Sequence, residues 1–194
     1  MKLALRLIVG LGNPGPKYAK TRHNVGAWLL AELALKQGLN FHSEPKFSGQ
    51  IASLTGSDQQ PCWLLIPTTF INESGRAVQA LSNFYKISPQ EILVAHDELD
   101  FPTGIVRIKQ GGGHGGHNGL RNIIQQLGSS DFYRLRIGID HPGNRDQVTP
   151  YVLSEPPVSE KNKIVQAIDD SLAVLPDLIA GEFDRAFRFL HNTK

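Results

Sequence analysis

The sequence contains almost no cysteine and no long apolar run, and these two shortages exclude several classes of protein. Cys62 is the single cysteine among 194 residues, so a disulfide framework and a cysteine-rich metal site are both excluded. The apolar runs are too short to cross a membrane, and the first ten residues are too short and too interrupted for a signal peptide. We therefore expect one soluble, cytosolic domain over residues 1–194, since no linker-like composition divides the chain.

A strong net charge is also missing, although the charges are unevenly distributed. The formal net charge is only +2, which by itself indicates no particular partner. Lys and Arg outnumber Asp and Glu in residues 1–50 and 103–150, and the reverse holds in residues 51–102 and 151–194. If the two basic quarters meet in space, they form a patch suited to phosphates; otherwise the surface is merely solvated.

The glycine spacing of dinucleotide-binding proteins is present, but the secondary structure and acidic residue that this fingerprint requires are not. Gly10, Gly12 and Gly15 match G-x-G-x-x-G directly after an apolar run. That fingerprint requires a helix to begin at the third glycine and an acidic residue at the end of the next strand. Prolines flank the third glycine, and the acid at the nearest spacing, Glu32, falls inside a predicted helix. We interpret the loop as a rigid turn that orients side chains.

Polar side chains follow three apolar runs that predict buried strands. These runs span residues 7–9, 62–66 and 92–95. The turns after them supply His23, Asn72 and Asp97, and the carboxyl ends of parallel strands lie at one edge of an α/β sheet, where such folds bind ligands. We therefore expect these three side chains to face one cleft, with Asp97 the partner of His23.

Apolar residues at helical spacing alternate with the strands and predict an α/β fold. Helices are predicted over residues 24–38, 75–85, 120–127, 159–175 and 181–190, and a strand that begins a hairpin over residues 47–54. Gly38 and Gly128 are natural helix ends, Asn24 is a natural cap, and Pro176 is expected to kink or end its helix.

No G-x-S-x-G motif is present and Cys62 lies in an apolar run, so a covalent hydrolase lacks an obvious nucleophile. Water is then the expected attacker. A neutral histidine held by a carboxylate is suited to take the proton from water, and neighbouring Asn side chains can orient the water or donate to an oxyanion. His23 and Asp97 are the residues we expect in these roles.

Residues 110–121 combine a glycine-rich loop with the start of a helix. Five of the six residues 111–116 are glycine, which lets a large ligand approach the backbone, and the following helix start attracts anions. Asn118 stands at that start, where it can cap the helix or contact ligand, and we favour ligand contact. His114 and His117 raise the alternative of a metal site, but a glycine-rich loop is a poor scaffold for one.

Two strands each present a pair of cations on one face. Arg107 and Lys109 alternate with apolar residues in one strand, and Arg134 and Arg136 do so in the other. The alternation predicts a cationic surface beside the glycine-rich loop.

The motifs together resemble those of the bacterial-type peptidyl-tRNA hydrolases over nearly the whole chain. The matching segments are Gly10-Leu-Gly-Asn-Pro-Gly15, Tyr18 with Thr21-Arg-His-Asn24, Pro67-Thr-Thr-Phe-Ile-Asn72, His96-Asp-Glu-Leu-Asp100, the loop 111–119 and Arg134-Leu-Arg-Ile-Gly-Ile139. The resemblance implies a metal-free, cofactor-free, usually monomeric enzyme that hydrolyses the ester between peptide and tRNA. It also implies one α/β domain whose mixed, twisted sheet lies between helices.

The resemblance assigns a role to each matching position. His23 matches the catalytic base, Asp97 its supporting acid, and Asn13 the residue that helps to distinguish N-blocked from free aminoacyl-tRNA. Four positions match substrate contacts, namely Tyr18, Phe70, Asn72 and Asn118, of which Asn118 is also linked to the water. The cations Arg107, Lys109 and Arg136 are then expected to meet tRNA phosphates.

One position departs from the family pattern. Ile71 stands where we expect Met, and since both residues are apolar and similar in volume, we expect only a small change in pocket shape. The main alternative function is RNA binding without catalysis, because a plant splicing factor resembles the same family. The intact set of His23, Asp97, Asn13 and Asn72 argues against that alternative.

Overall fold

One mixed β-sheet of seven strands forms the centre of the computed structural model, which describes residues 3–192. The strands are Leu7–Gly10 (β1), His42–Glu44 (β2), Gly49–Thr55 (β3), Pro61–Pro67 (β4), Ile92–Glu98 (β5), Val106–Gln110 (β6) and Tyr133–Gly138 (β7). Their order across the sheet is β2-β3-β4-β1-β5-β7-β6. The strands β4, β1, β5 and β7 are mutually parallel, whereas β2, β3 and β6 run antiparallel to their neighbours.

Helices cover both faces of this sheet. They are Val25–Gln37 (α1), Ser74–Phe84 (α2), Asn118–Leu127 (α3), Val148–Val152 (α4), Val158–Ile179 (α5) and Phe183–Asn192 (α6). Apolar residues of α1, α5 and α6 pack on one face of the sheet, and those of α2 and α3 pack on the other. Because β1, β4 and β5 are apolar on both faces, they occupy the middle of the sheet. The predicted fold class, an α/β domain with a mixed sheet between helices, is confirmed.

The helix ends follow local backbone chemistry in most places. Gly38 and Gly128 adopt the left-handed conformation directly after α1 and α3, with φ of +64° and +65°, as their positions predicted. Pro176 does not end α5, which continues to Ile179. The last turn of α5 buries Leu178, and we attribute the continuation to this apolar contact, which opposes the loss of one backbone hydrogen bond at proline.

A close approach of backbones fixes the distance between the two predicted catalytic turns. A Cβ atom at Gly26 would lie 2.1 Å from the Ala95 carbonyl oxygen, so only glycine lets α1 lie directly on β5. The turn that carries His23 precedes this contact by three residues, and Asp97 follows Ala95 by two. The first turn of α1 is therefore held beside the carboxyl end of β5.

Within residues 3–192, we find no helix with the length and apolar character needed to cross a membrane.

Candidate active site

A cleft of about 780 Å³ opens at the rim of the sheet where β1, β4 and β5 end. The turns after all three strands contribute to its lining, as does α4. Seven of the residues predicted from the sequence lie in this lining: Asn13, Tyr18, His23, Phe70, Asn72, Asp97 and Asn118. The cleft has the volume of a typical small-molecule or cofactor site, and it brings together segments more than 100 residues apart in sequence.

The cleft contains an imidazole and a carboxylate in direct contact. His23 Nδ1 lies 2.8 Å from Asp97 Oδ2, so Nδ1 carries the proton and donates it, because a carboxylate only accepts. The Asp97 side chain is 2% exposed and that of His23 is 15% exposed. Within residues 3–192, Nε2 of His23 has no hydrogen-bond partner.

The turn that carries His23 is fixed by the buried guanidinium of its neighbour. Arg22 donates to Ser154 Oγ at 2.6 Å and pairs with Glu160 at 2.9 Å, while Tyr151 packs on its cationic face. These contacts join the His23 turn to α4 and α5. This anchor was not predictable from the sequence, since its partners lie 129 to 138 residues away.

A second histidine contacts the same carboxylate from the opposite side. His117 Nε2 lies 2.8 Å from Asp97 Oδ1, and the rings of His117 and His23 have centroids 5.0 Å apart. The other nitrogen of His117, Nδ1, accepts hydrogen bonds from the backbone N–H groups of Gly119 and Leu120 at 3.1 and 3.4 Å. His117 is therefore the cap of α3, and both oxygens of Asp97 are occupied.

The electrostatics of this cluster favour an ionised aspartate. Burial alone would raise the pKa of Asp97, but the imidazoles of His23 and His117 hold the pKa of this carboxyl well below its usual range. Burial would in turn lower the pKa of His23, and the Asp97 carboxylate outweighs burial, so the pKa of His23 lies above its ordinary value of 6.5. The cluster is a carboxylate between two imidazoles.

The loop after β1 is locked by a reciprocal pair of asparagines. Asn13 N donates to Asn24 Oδ1 and Asn24 Nδ2 donates to Asn13 O, both at 2.9 Å. The side-chain oxygen of Asn13 accepts from the backbone N–H of Ile71 at 2.8 Å. Asn13 lines the cleft, and its Nδ2 group, a pure donor, has no recorded hydrogen-bond partner within residues 3–192. Asn24 was predicted as a helix cap, but its side chain makes no cap hydrogen bond and instead holds Asn13.

The remaining predicted contacts form one wall and one end of the cleft. Phe70 is 52% exposed and meets the Tyr18 ring edge to face, with centroids 6.1 Å apart. The side chains of Asn72 and Asn118 line the end of the cleft and also a smaller polar recess of about 280 Å³ beside it. The side chain of Ile71 is almost fully buried, at 2% exposure.

The predicted cationic strands are adjacent, with their cations on one face. Across β6 and β7, Arg107 lies opposite Arg136 and Lys109 lies opposite Arg134. Arg134 is buried and donates to the Gly112 carbonyl at 2.6 Å, so it holds the glycine-rich loop. Arg136 pairs with Glu98 at 3.6 Å. Arg107 donates through Nη1 to the Leu190 carbonyl at 2.9 Å.

Comparison with known proteins matches this architecture at high similarity. The peptidyl-tRNA hydrolase family matches residues 7–194. A peptidyl-tRNA hydrolase of Coxiella burnetii is 58% identical over 192 residues, which are 99% of this chain and 100% of that protein. One from Neisseria meningitidis is 52% identical over the same shares of both chains. The crystal structure of the Acinetobacter baumannii peptidyl-tRNA hydrolase has a TM-score of 0.95 at 43% identity, covering 100% of this chain and 98% of the other.

The chain belongs to the peptidyl-tRNA hydrolase family. The resemblance predicted from the motifs is thereby confirmed, and with it the enzyme class, a hydrolase that acts on an ester bond. The fold agrees as well, because the match with the crystal structure extends over the entire sheet and its helices.

The second histidine has a role that the sequence did not predict. The sequence raised His117 as a metal ligand together with His114, an alternative that the glycine-rich loop disfavours, and placed Asn118 at the start of α3 as a cap or, in preference, a ligand contact. In the structure His117 itself is the cap, while His114 is directed to Gly116 N at 3.0 Å. Histidine is not among the residues preferred at a cap, so the sequence carried no signal for this role.

A metal reading of the His23, Asp97 and His117 group conflicts with the hydrogen bonding of His117. These three residues place potential ligand atoms within 4.8 Å of one another. Since Nδ1 of His117 accepts from two backbone N–H groups, the proton of the neutral ring must lie on Nε2. Coordination through Nε2 would require the ring to lose that proton. The donor arrangement therefore suits a carboxylate better than a cation.

Proposed function

We propose that His23 is the general base that activates water for hydrolysis of the ester between peptide and tRNA, with Asp97 as its support. The observation that carries this proposal is the 2.8 Å contact between His23 Nδ1 and Asp97 Oδ2 in the lining of the cleft. This contact fixes the tautomer, so that the lone pair on Nε2 is available for a water molecule. The carboxylate also stabilises the imidazolium that forms when the proton is taken.

The reaction then requires only water and the substrate. Nε2 of His23 takes a proton from water while the water oxygen bonds to the ester carbonyl carbon, and the carbonyl electron pair moves to oxygen. When the tetrahedral intermediate collapses, the bond to the ribose oxygen of tRNA breaks and that oxygen receives the proton from Nε2. The base is restored, and free peptide and tRNA leave. Cys62 takes no part, since it is buried and burial raises the pKa of its thiol to about 12.

Asn13 supports discrimination between blocked and free amino groups. Its side-chain oxygen is held by Ile71 N, so only the Nδ2 donor is offered to substrate. A peptide carbonyl accepts from such a donor, whereas the ammonium of a free aminoacyl-tRNA can only donate and would be left unpaired. We propose that this mismatch contributes to selection of N-blocked substrate. Ile71 contacts Asn13 through its backbone N–H, which supports the expectation that the change from Met has little effect.

The rest of the cleft provides surfaces for the substrate on both sides of the ester. We propose that the Tyr18 and Phe70 rings pack against a substrate side chain or base. The amides of Asn72 and Asn118 then hold the substrate and the attacking water, a class of contact whose removal costs about 3 kcal/mol of transition-state stabilisation.

The cationic face of β6 and β7 is proposed to bind tRNA phosphates through Arg107, Lys109 and Arg136. Arg107 uses only Nη1 for its two backbone contacts, which leaves Nη2 available. Phosphate contacts of this kind orient a nucleic acid and make its affinity depend on salt. The family resemblance further implies a monomer that works in the cytoplasm, and light scattering on purified protein would measure the oligomeric state.

The test of catalysis compares His23→Ala with His114→Ala, a half-buried histidine whose side chain accepts a hydrogen bond from the Gly116 N–H. We expect His23→Ala to abolish release of tRNA from N-acyl-aminoacyl-tRNA while its tRNA affinity stays within twofold of wild type. His114→Ala should retain wild-type turnover. Undiminished turnover by His23→Ala would refute the general-base role, and tRNA binding with no hydrolysis by the wild-type protein would favour the RNA-binding alternative.

A further inference from the structure

His117 has properties that its neighbours in the cleft do not share. It caps a helix through Nδ1 and contacts Asp97 through Nε2, so one ring joins the amino end of α3 to the buried carboxylate. The two functions are chemically linked. Because Nδ1 faces two backbone N–H groups, it cannot carry a proton, and Nε2 must therefore be the N–H that points at Asp97.

The same contacts fix the direction of the hydrogen bond to Asp97. Nδ1 of His117 accepts from the N–H groups of Gly119 and Leu120, so its Nε2 donates to Asp97 Oδ1 at 2.8 Å. His23 is the only other side-chain donor to Asp97 that the structure records in residues 3–192.

The ring of His117 has little room to move. A Cβ atom at Gly119 would lie 3.1 Å from Cε1 of His117, so any larger residue there would press on the ring. On its other side the ring meets His96 edge to face, with centroids 5.1 Å apart. His96 is buried, and its Nδ1 donates to the Asp97 carbonyl at 2.7 Å. The carboxylate, its backbone and its second donor therefore form one packed unit.

We propose that His117 is a positioning residue of this hydrolase: it fixes the Asp97 carboxylate, and through it the ring of His23, by tying both to the amino end of α3. The proposal rests on the proposed role of His23 as the base. Without the donor from His117, one oxygen of Asp97 would be buried without a partner, and the carboxylate could rotate about its bond to Cβ. The plane of the His23 ring would then no longer be fixed.

Two substitutions separate the cap from the contact with Asp97. His117→Asn keeps a polar atom at the position of Nδ1 and is a favoured cap, but is too short to reach Asp97. His117→Gln places an amide N–H near the position of Nε2 and loses the cap geometry. His114→Asn, three residues earlier in the same loop, is the matched control because Gly116 N is the one hydrogen-bond partner recorded for the His114 side chain among residues 3–192.

We expect the unfolding temperature of His117→Asn to lie within about 2 °C of the wild-type value. Its kcat should fall about 10- to 100-fold, since misplacement of a catalytic group by about 1 Å can have this effect. KM should change less than twofold. The acid limb of its pH profile should move to higher pH, because Asp97 no longer shares its charge with a second donor. The titratable groups that face this cluster are His23, His96, Asp97 and Glu98. His117→Gln should unfold at lower temperature but turn over faster than His117→Asn.

Wild-type kcat and an unshifted pH profile in folded His117→Asn would overturn the proposal. So would turnover that simply follows thermal stability, with His117→Gln slower than His117→Asn. The two hypotheses fail differently: retained activity in His23→Ala removes the base, whereas an inactive His23→Ala beside a fully active His117→Asn removes only the positioning role.

Discussion

The cluster around Asp97 and the cationic face of β6 and β7 arrange their charges in opposite ways. At Asp97, two imidazole N–H groups converge on one buried carboxylate at 2.8 Å each. On the cationic face, like charges lie directly opposite each other, with Arg107 across from Arg136 and Lys109 across from Arg134. The carboxylate of the first arrangement has its partners within the chain, whereas the cations of the second face like charges.

The difference supports the proposal that the cationic face binds an anionic ligand. Like charges directly opposite on neighbouring strands are destabilising, and the chain relieves only part of this repulsion, through Glu98 for Arg136 and the Gly112 carbonyl for Arg134. For Lys109 we find no ion pair within residues 3–192. An anionic partner would relieve what is left. The cluster around Asp97, by contrast, is already arranged in the chain without substrate, as the proposed role in electrostatic catalysis requires.

The largest effect is expected from breaking the complete cluster at its centre. Asp97→Asn should lower kcat about 10³-fold, because an amide neither fixes the His23 tautomer nor stabilises the imidazolium. In the wild type, the raised pKa of His23 predicts that kcat/KM falls as pH drops through a value above 6.5. Removal of the carboxylate lowers that pKa, so the acid limb should move to lower pH. Stopped-time assays of tRNA release across pH would measure both.

Binding provides the control for this substitution. The affinity of Asp97→Asn for uncharged tRNA should equal that of wild type, because Asp97 is buried and lies behind His23. An acid limb at the wild-type position in Asp97→Asn would show that the two residues are not coupled.

A smaller effect is expected at Asn13, which tests whether the donor presented to the cleft selects the substrate. Asn13→Ala should lower kcat/KM for N-blocked substrate about 10²-fold, the loss typical of one oriented donor. It should have much less effect on unblocked aminoacyl-tRNA, so the ratio between the two substrates should fall. Asn83→Ala, in an exposed position of α2, is the matched control. An unchanged ratio in Asn13→Ala would assign discrimination to other residues.

The sequence predicted features that depend on neighbouring residues better than features that depend on contacts between distant segments. Apolar periodicity and glycine ends predicted the central strands and the helix ends at Gly38 and Gly128, since both depend on local sequence. The meeting of His23 with Asp97 followed from the rule that parallel strands share a rim. The roles of Arg22, Asn24 and His117 were not predictable, because each depends on a partner fixed only by tertiary packing.

The cationic face should respond to substitution mainly in its salt dependence. Lys109→Ala should lower the slope of log affinity for tRNA against log salt by about 1 and leave thermal stability unchanged. Arg107→Ala should lower the slope and also the unfolding temperature by about 2–4 °C, because it loses its bond to the Leu190 carbonyl. Lys161→Ala, exposed on α5, is the control for charge alone. Equal slopes for wild type and Lys109→Ala would place the tRNA contact elsewhere.

The smallest effect is expected at Glu98, the residue that joins the two regions. It follows Asp97 directly in β5, lines the cleft and pairs with Arg136 at 3.6 Å. Burial and the nearby Asp100 raise the pKa of Glu98, so its ionised form is disfavoured at this position. Glu98→Gln would remove a negative charge from the approach to the cationic face and release Arg136 for phosphate.

The Glu98–Arg136 pair is partly buried but long, at 3.6 Å, so we assign it about 1 kcal/mol at most, and tRNA affinity of Glu98→Gln should rise by at most about fivefold. The gain should disappear in the double substitution with Arg136→Gln, because the charge that Glu98 neutralises is then absent, and a cycle of the four proteins measures this coupling. If Glu98→Gln strengthened binding equally with and without Arg136, the effect would be one of net charge only. If it weakened binding, Glu98 would be orienting Arg136 for phosphate, and the cationic face would be preorganised within the chain, as the catalytic cluster is.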